Sequence, residues 1–184
     1  SPGTTVIQRI EYDFDYDGSN FTVDQTVNSP SFNQVTNHTY TSAGTYYVAL
    51  RAYSDNGCDD QAETPIPVII YPLPEPDFNV SGSCDGDAIS FTDNSSILFG
   101  TVDFYEWDFD NDNTFEETGA SLSSLDHTFP GPGIYPVTLR LTSDQSCQDE
   151  VTENVNVHPT PVAAITTSTG SAKCFGNAID FDAS

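Results

Sequence analysis

A chain of 184 residues with 36% hydrophobic and 12% aromatic residues can build a core, and no stretch of it approaches the roughly 18 apolar residues that cross a membrane. Four basic residues (Arg9, Arg51, Arg140, Lys173) stand against 28 Asp and Glu, a formal charge of −24 that repels phosphate backbones and anionic lipid, so neither nucleic-acid binding nor membrane insertion is expected of this segment. No basic stretch leads into an apolar run as in a signal peptide, and with no Met the chain is expected to be a piece of something longer.

In chain order, the first patterned segment is EYDFDYDG, Glu11 to Gly18. Alternation predicts a half-buried strand running into a turn at Asp17-Gly18, with Tyr12, Phe14 and Tyr16 toward the core and Asp13 and Asp15 toward water. Next, Tyr46, Val48, Leu50 and Ala52 alternate with Ala49 and Arg51, a strand with one wet face. YPLPEP (71–76) punctuates the chain, because Pro ends strands and stiffens short linkers. Ala88 to Phe91 and Tyr105 to Phe109 read as further strands. The strongest is Tyr135, Val137, Leu139, Leu141, alternating with Thr138 and Arg140; Pro136 within it lacks a donor and is expected on the solvent face near the strand start. Val151 to Val157 follows, then a second joint, HPTP (158–161). No segment has a helical period.

The elements repeat. HTYTSAGTYYVALRAYSDNGC (38–58) aligns without gaps on HTFPGPGIYPVTLRLTSDQSC (127–147), an offset of 89 with ten of 21 positions identical. EYDFD (11–15) matches EWDFD (106–110) at an offset of 95, so the first unit carries six more residues in between, as a loop allows. YPLPEPDFNV (71–80) matches HPTPVAAITT (158–167), and CDGDAISF (84–91) matches CFGNAIDF (174–181). The predicted organisation is the back of one unit in 1–73, a whole unit in 74–160, and the first strands of a third in 161–184. About seven short strands in ~90 residues predict an all-β chain of immunoglobulin-like β-sandwich units in tandem. Trp107, with Tyr12 in the first unit, takes the core aromatic position of the third strand. Gly-x-Tyr at Tyr46 and Tyr135 has the form of a tyrosine corner. Val48 and Val137 occupy the usual inter-sheet cysteine position, predicting a dry aliphatic core.

These motifs resemble the PKD (polycystic kidney disease) domain: W-D-F-x-D at Trp107 to Asp110, H-T-F at His127 to Phe129, G-x-Y-x-V-x-L at Gly133 to Leu139, S-D-x-x-C at Ser143 to Cys147, and V-x-V-x-P-x-P at Val155 to Pro161. The first unit repeats most of this from Tyr12 to Pro74. The family's usual W-D-F-G-D-G reads WDFDND and YDFDYD here. The resemblance implies a non-catalytic sandwich used in series as spacer, force-bearing link or adhesive surface. Cysteine-bearing tandem units look most like those of large secreted surface proteins of the Bacteroidota, including gliding-motility adhesins exported by the type IX pathway. Neighbouring repeat units and a surface polysaccharide or other extracellular ligand are the implied partners, and a secreted or cell-surface location follows. The alternative is an accessory, carbohydrate-binding module of a secreted glycosidase or protease. Tyr47 and Tyr53 point outward by strand parity, but Pro136 and Thr142 replace them in the second unit.

No catalytic residues are expected. His38 and His127 recur in a strand context, His158 ends a strand beside a joint, and no nucleophile, zinc or phosphate-loop motif occurs. No cofactor is required, and calcium is the one candidate. Asp13, Asp15 and Asp17, and likewise Asp108, Asp110 and Asp112, stand at alternate positions. On a straight strand such a trio spans about 13 Å, too far for one ion with Ca–O distances of about 2.4 Å, so the chain must turn. Position 12 counted from Asp13 is Asp24, but from Asp108 it is Gly119, which excludes an EF-hand and leaves a looser site at the turn. Cys58, Cys84, Cys147 and Cys174 lack C-x-x-C spacing and suit disulfides better than zinc. In such a sandwich Cys84 and Cys174 lie on the first hairpin and Cys58 and Cys147 on the last, at opposite ends about 20 Å apart, whereas bridged Cα atoms lie within about 7 Å. Staples between successive units are expected, Cys147 pairing upstream and Cys84 downstream of this segment. Cys58–Cys84 with Cys147–Cys174 is the competing scheme.

Overall fold

The computed structural model of the protein describes residues 6–30, 35–62, 64–167 and 181–183; Cys174 lies outside them. Among the described residues every regular element is a strand, as the period-two patterns require. The chain divides into two compact units, one of Ser1–Pro74 with Ile97–Thr101 and Ser143–Cys147, the other of Glu75–Ser96, Val102–Thr142 and Gln148–Ser184.

The first unit holds β1 (Ile7–Asp13), β2 (Gln25–Asn28), β3 (Gly44–Ser54), β4 (Asp59–Gln61) and β5 (Ile66–Ile70). They form one antiparallel sheet ordered β2-β1-β3-β4, with β5 also on β3. Directly opposed residues share a face. The registers Ile10↔Ala52, Tyr12↔Leu50, Val48↔Ile66 and Tyr46↔Val68 therefore gather one apolar face across three strands. On the other face Asp13 stands opposite Ala49.

The second unit contains β6 (Phe78–Ser81), β7 (Ile89–Asp93), β8 (Val102–Asp108), β9 (Glu117–Gly119), β10 (Ser124–His127), β11 (Gly133–Ser143) and β12 (Gln148–Val157). Two sheets, β10-β7-β6 and β12-β11-β8-β9, make an immunoglobulin-like sandwich. Phe78, Ile89 and Phe91 from one sheet pack with Trp107, Val137, Leu139, Leu141, Val155 and Val157 from the other. Trp107 is fully buried, meeting Phe78 at 5.2 Å and Phe91 at 5.6 Å edge to face. Its one polar atom is satisfied, because Nε1 donates to the Leu122 carbonyl at 3.1 Å. Burying side chains of this size stabilises by roughly 1.5–3 kcal/mol each. β13 (Ile165–Thr167) and β14 (Phe181–Ala183) form a further antiparallel pair.

Both Gly-x-Tyr motifs close corners. The Tyr135 hydroxyl donates to the Gly131 carbonyl at 2.9 Å and that of Tyr46 to the Ser42 carbonyl at 3.0 Å, the same four-residue step back. Tyr46 and Tyr135 are half-buried. Pro136 is also half-buried, the fourth residue of β11, opposite Asn154. Cys58 and Cys147 occupy the same place in the hairpin turns after β3 and β11, where each amide donates to Ser54 Oγ or Ser143 Oγ. Cys84 lies in the turn between β6 and β7 and bridges to His158. Among the described residues, Cys58, Cys84 and Cys147 are free thiols.

Candidate cation site

β8 ends in Asp108, the counterpart of Asp13, which alternation assigns to water. Asp108 is instead 1% exposed, and its counterpart Asp13 is 2% exposed. This corrects the expectation that Asp13 faces solvent; Asp15 does. The reason lies in the following loop, whose backbone N–H groups turn onto the carboxylate. Asp108 accepts from the amides of Asp110, Asn111 and Asn113, and Asp13 from those of Asp15 and Thr22. Charge-assisted bonds of this kind offset the desolvation of a buried anion. Asn111 and Asn113 adopt φ of 58° and 68°, a left-handed backbone that Asn tolerates better than most residues. In the first unit the turn is longer and uses Gly18 at φ 88°.

This turning brings Asp108, Asp110, Asp112 and Glu116 together, with one carboxylate oxygen from each lying within 4.8 Å of the others. Oxygens on a sphere of about 2.4 Å radius, the Ca–O distance, are at most about 4.8 Å apart, so the spacing suits one hard cation. The loop is held by its own carboxylates: Asp110 Oδ1 accepts from the Asp112 amide, Asp112 Oδ1 from Thr114, and Glu116 Oε2 from Phe109. Asp108 is buried and the other three are exposed.

The first unit differs. Asp24 Oδ2 accepts from the Phe14 amide as Glu116 does from Phe109, so Asp24 is the counterpart of Glu116. Asp17, however, caps its own turn, with Oδ1 accepting from the amides of Ser19 and Asn20 and from the Ser19 hydroxyl. Those bonds, led by the Asn20 amide, hold its carboxyl down at a pKa of about 2. Among the described residues, Asp13, Asp15 and Asp17 are not gathered into a ligand set; the second-unit cluster alone is. The sequence reading also missed Glu116. Its signal was present, an acidic residue soon after the turn in both units, but counting by EF-hand positions passed over it.

Beside the cluster runs a column of rings. Phe109 stacks on His127 at 3.9 Å, His127 meets Phe129 edge-on at 4.7 Å, and Phe129 stacks on Tyr135 at 4.3 Å. Burial lowers the His127 pKa below 6.5, opposed by the charges of Glu116 and Glu117. The first unit repeats the column as Phe14, His38, Tyr40 and Tyr46. The histidines are thus packing elements. Arg140 clamps Glu106 through two bonds of 2.6 and 2.7 Å while lying 4.0 Å over the Phe115 ring. Arg51 lies 4.2 Å over Phe21 but bonds Gln61. Glu11 instead pairs with Arg9 and accepts from the outward Tyr53.

Residues 72–159 match the family model of the PKD domain. Among solved structures, the chain is similar to the PKD1 domain of Vibrio anguillarum Epp, at 22% identity and a TM-score of 0.42, over 50% of this chain and 100% of that one. It is also similar to the PKD1 domain from the Vibrio cholerae metalloprotease PrtV, at 25% identity and a TM-score of 0.36, over 48% of this chain and 98% of that one. Fibronectin(III)-like modules of Clostridium thermocellum CbhA align at 12% identity and a TM-score of 0.42, over 86% of this chain and 82% of theirs.

Proposed function

Because residues 72–159 are a PKD domain, we propose that the chain is a run of such units from a large secreted bacterial surface adhesin. In it they serve as stalk and spacer and present an adhesive surface, without catalysis. The carrying observation is the recurrence of one sheet plan, β2-β1-β3 followed by β4 and β5 in the first unit and β9-β8-β11-β12 in the second, each with its tyrosine corner. A structural module repeated in series is what a spacer requires. Residues 1–73, 74–160 and 161–184 are then successive units, and the charge of −24 keeps neighbouring chains apart. Reading the gene on both sides of residues 1 and 184 tests this. Dozens of further units support the stalk; a catalytic domain in the same chain replaces it with an accessory, carbohydrate-binding module of a secreted enzyme.

Two features belong to the same proposal. The 108–116 loop binds a calcium ion through Asp108, Asp110, Asp112 and Glu116, which stiffens the unit. Calorimetry is expected to show one site in the wild type and none in Asp110→Asn/Asp112→Asn; no heat at millimolar calcium removes the site. The cysteines staple successive units, Cys147 to an upstream unit and Cys84 to a downstream one. Non-reducing peptide mapping of the intact protein that finds Cys84 joined to Cys147 sinks that scheme.

A further inference from the structure

Asn56-Gly57 is the single Asn-Gly pair in the 184 residues, and it stands in the hairpin turn between β3 and β4. The backbone nitrogen after an asparagine can close a five-membered ring on the side-chain carbonyl carbon, and glycine, with no Cβ, leaves that nitrogen least shielded. The structure keeps the approach open. Asn56 and Gly57 are both exposed, and a Cβ placed on Gly57 would meet nothing within 4 Å. The Gly57 amide donates to the Ser54 carbonyl at 3.1 Å, near the long end of such bonds, so little holds it back. The nitrogen that would leave, Asn56 Nδ2, donates to Asp55 Oδ1 at 3.1 Å, both groups standing in water.

Other asparagines followed by a small residue are restrained. In Asn28-Ser29 the attacking amide donates to the Gln8 carbonyl at 2.6 Å. In Asn94-Ser95 it donates to Asp93 Oδ1 at 3.0 Å, and Asn94 Nδ2 is held by Asp77 Oδ2 at 2.6 Å. The equivalent turn of the second unit carries Gln145-Ser146, whose extra side-chain methylene enlarges the ring that would have to close and whose Ser146 amide donates to the Ser143 carbonyl at 2.8 Å.

We propose that Asn56-Gly57 is a self-modifying site, at which the first-unit hairpin converts without an enzyme to isoaspartate. The Gly57 nitrogen gives up its proton and attacks Asn56 Cγ. The new N–Cγ bond replaces the bond from Cγ to Nδ2, and ammonia leaves with the proton. Water then opens the cyclic imide at either carbonyl, giving aspartate or isoaspartate, so the net change is asparagine plus water to carboxylate plus ammonium. Isoaspartate inserts a methylene into the main chain of a turn that is closed by the bonds from Gly57 to Ser54, at 3.1 Å, and from Ser54 to Cys58, at 2.8 Å. It also adds a negative charge beside Asp55, Asp59 and Asp60. The β3–β4 hairpin therefore loosens as the molecule ages, and the corresponding turn of the second unit does not.

Incubation of the 184-residue chain at 37 °C and pH 8.5, followed by peptide mapping that separates asparagine, aspartate and isoaspartate forms, tests the proposal. Conversion at Asn56 should run at least about tenfold faster than at Asn28 or Asn94, because only glycine leaves the attacking nitrogen bare. It should slow at pH 6, since attack requires the deprotonated amide, and be abolished in Asn56→Gln, which carries the residue of the second unit. Deuterium exchange at the Ser54 and Gly57 amides should be faster in the isoaspartate form than in fresh protein, with a smaller increase in Asn56→Asp, which gains the charge without the methylene. Conversion at Asn56 no faster than at Asn28 or Asn94 overturns the proposal. An isoaspartate form whose turn amides exchange as in fresh protein overturns the loosening of the hairpin.

Discussion

Strands β3 and β11 carry nearly the same text, GTYYVALRAYS and GIYPVTLRLTS, and end in different environments. Val137, Leu139 and Leu141 have no exposed surface, whereas Val48, Leu50 and Ala52 keep a substantial part of theirs. The strands themselves are equally regular, and both begin at a bonded tyrosine corner. What differs is the covering layer, three aromatic and aliphatic residues from β6 and β7. Alternation chooses which face of a strand is apolar; a second sheet makes that choice worth several kcal/mol.

The largest effect that sharpens this contrast is a cavity. Leu139→Ala is expected to destabilise the second unit by about 2–5 kcal/mol, while the equivalent Leu50→Ala costs the first unit about 1 kcal/mol, because a half-buried site loses less contact and relaxes into solvent. Hydrogen exchange of the β3 and β11 amides in the same molecule reads both. The single Trp, Trp107, adds a fluorescence signal for the second unit in urea. Equal losses at the two sites would break the comparison.

Next come the buried carboxylates. Asp108→Ala strands three backbone donors and is expected to cost about 2–3 kcal/mol; Asp13→Ala strands two and costs about 1–2 kcal/mol. Urea titrations of the two variants, followed as above, check the order. A loss smaller for Asp108 than for Asp13 would show that the donors find other partners.

These same residues mark where the sequence was legible. Period two located β1, β3, β8 and β11, the Gly-x-Tyr pairs located both corners, and Trp107 stood out as the core aromatic, because strand burial follows from local alternation and corner geometry from a three-residue motif. Asp13 was read as solvent-facing because alternation carries no information about what later folds over the second face. The amides that bury Asp108 come from residues two to five positions on, inside a turn whose shape depends on left-handed Asn111 and Asn113. Glu116 joins the cluster for the same reason, since it is placed by its bond to the Phe109 amide rather than by a fixed count. The split of one long strand, β12, into β4 and β5 in the first unit is a further loop-dependent difference that the shared pattern concealed.

A smaller contrast concerns the corners. Tyr135→Phe should cost about 1 kcal/mol, the net worth of one partly buried hydrogen bond, and Tyr46→Phe a few tenths, because its bond to Ser42 is exposed to water that can replace it. Thermal melts of the two variants measure this directly, and identical shifts would show that the corner bond counts equally whatever covers the sheet.

The smallest effect is one of pH, and it belongs to the second unit. His127 is half-buried between Phe109 and Phe129, whereas His38 is exposed. Burial disfavours the imidazolium, so the folded-state pKa of His127 lies below its ordinary 6.5. Below pH 6.5 the unfolded chain then binds more protons at this residue than the folded one does. The stability that the neutral ring contributes is complete above 6.5 and is lost as the pH falls toward the folded-state value. Urea unfolding of the second unit at pH 7.5 and pH 5.5 should show the drop, His127→Phe should remove this part of it while keeping the ring stack, and an NMR titration of the imidazole should place its midpoint below 6.5. A midpoint above 6.5 would mean that Glu116 and Glu117 outweigh burial, reversing the sign, so that protonation would strengthen the unit.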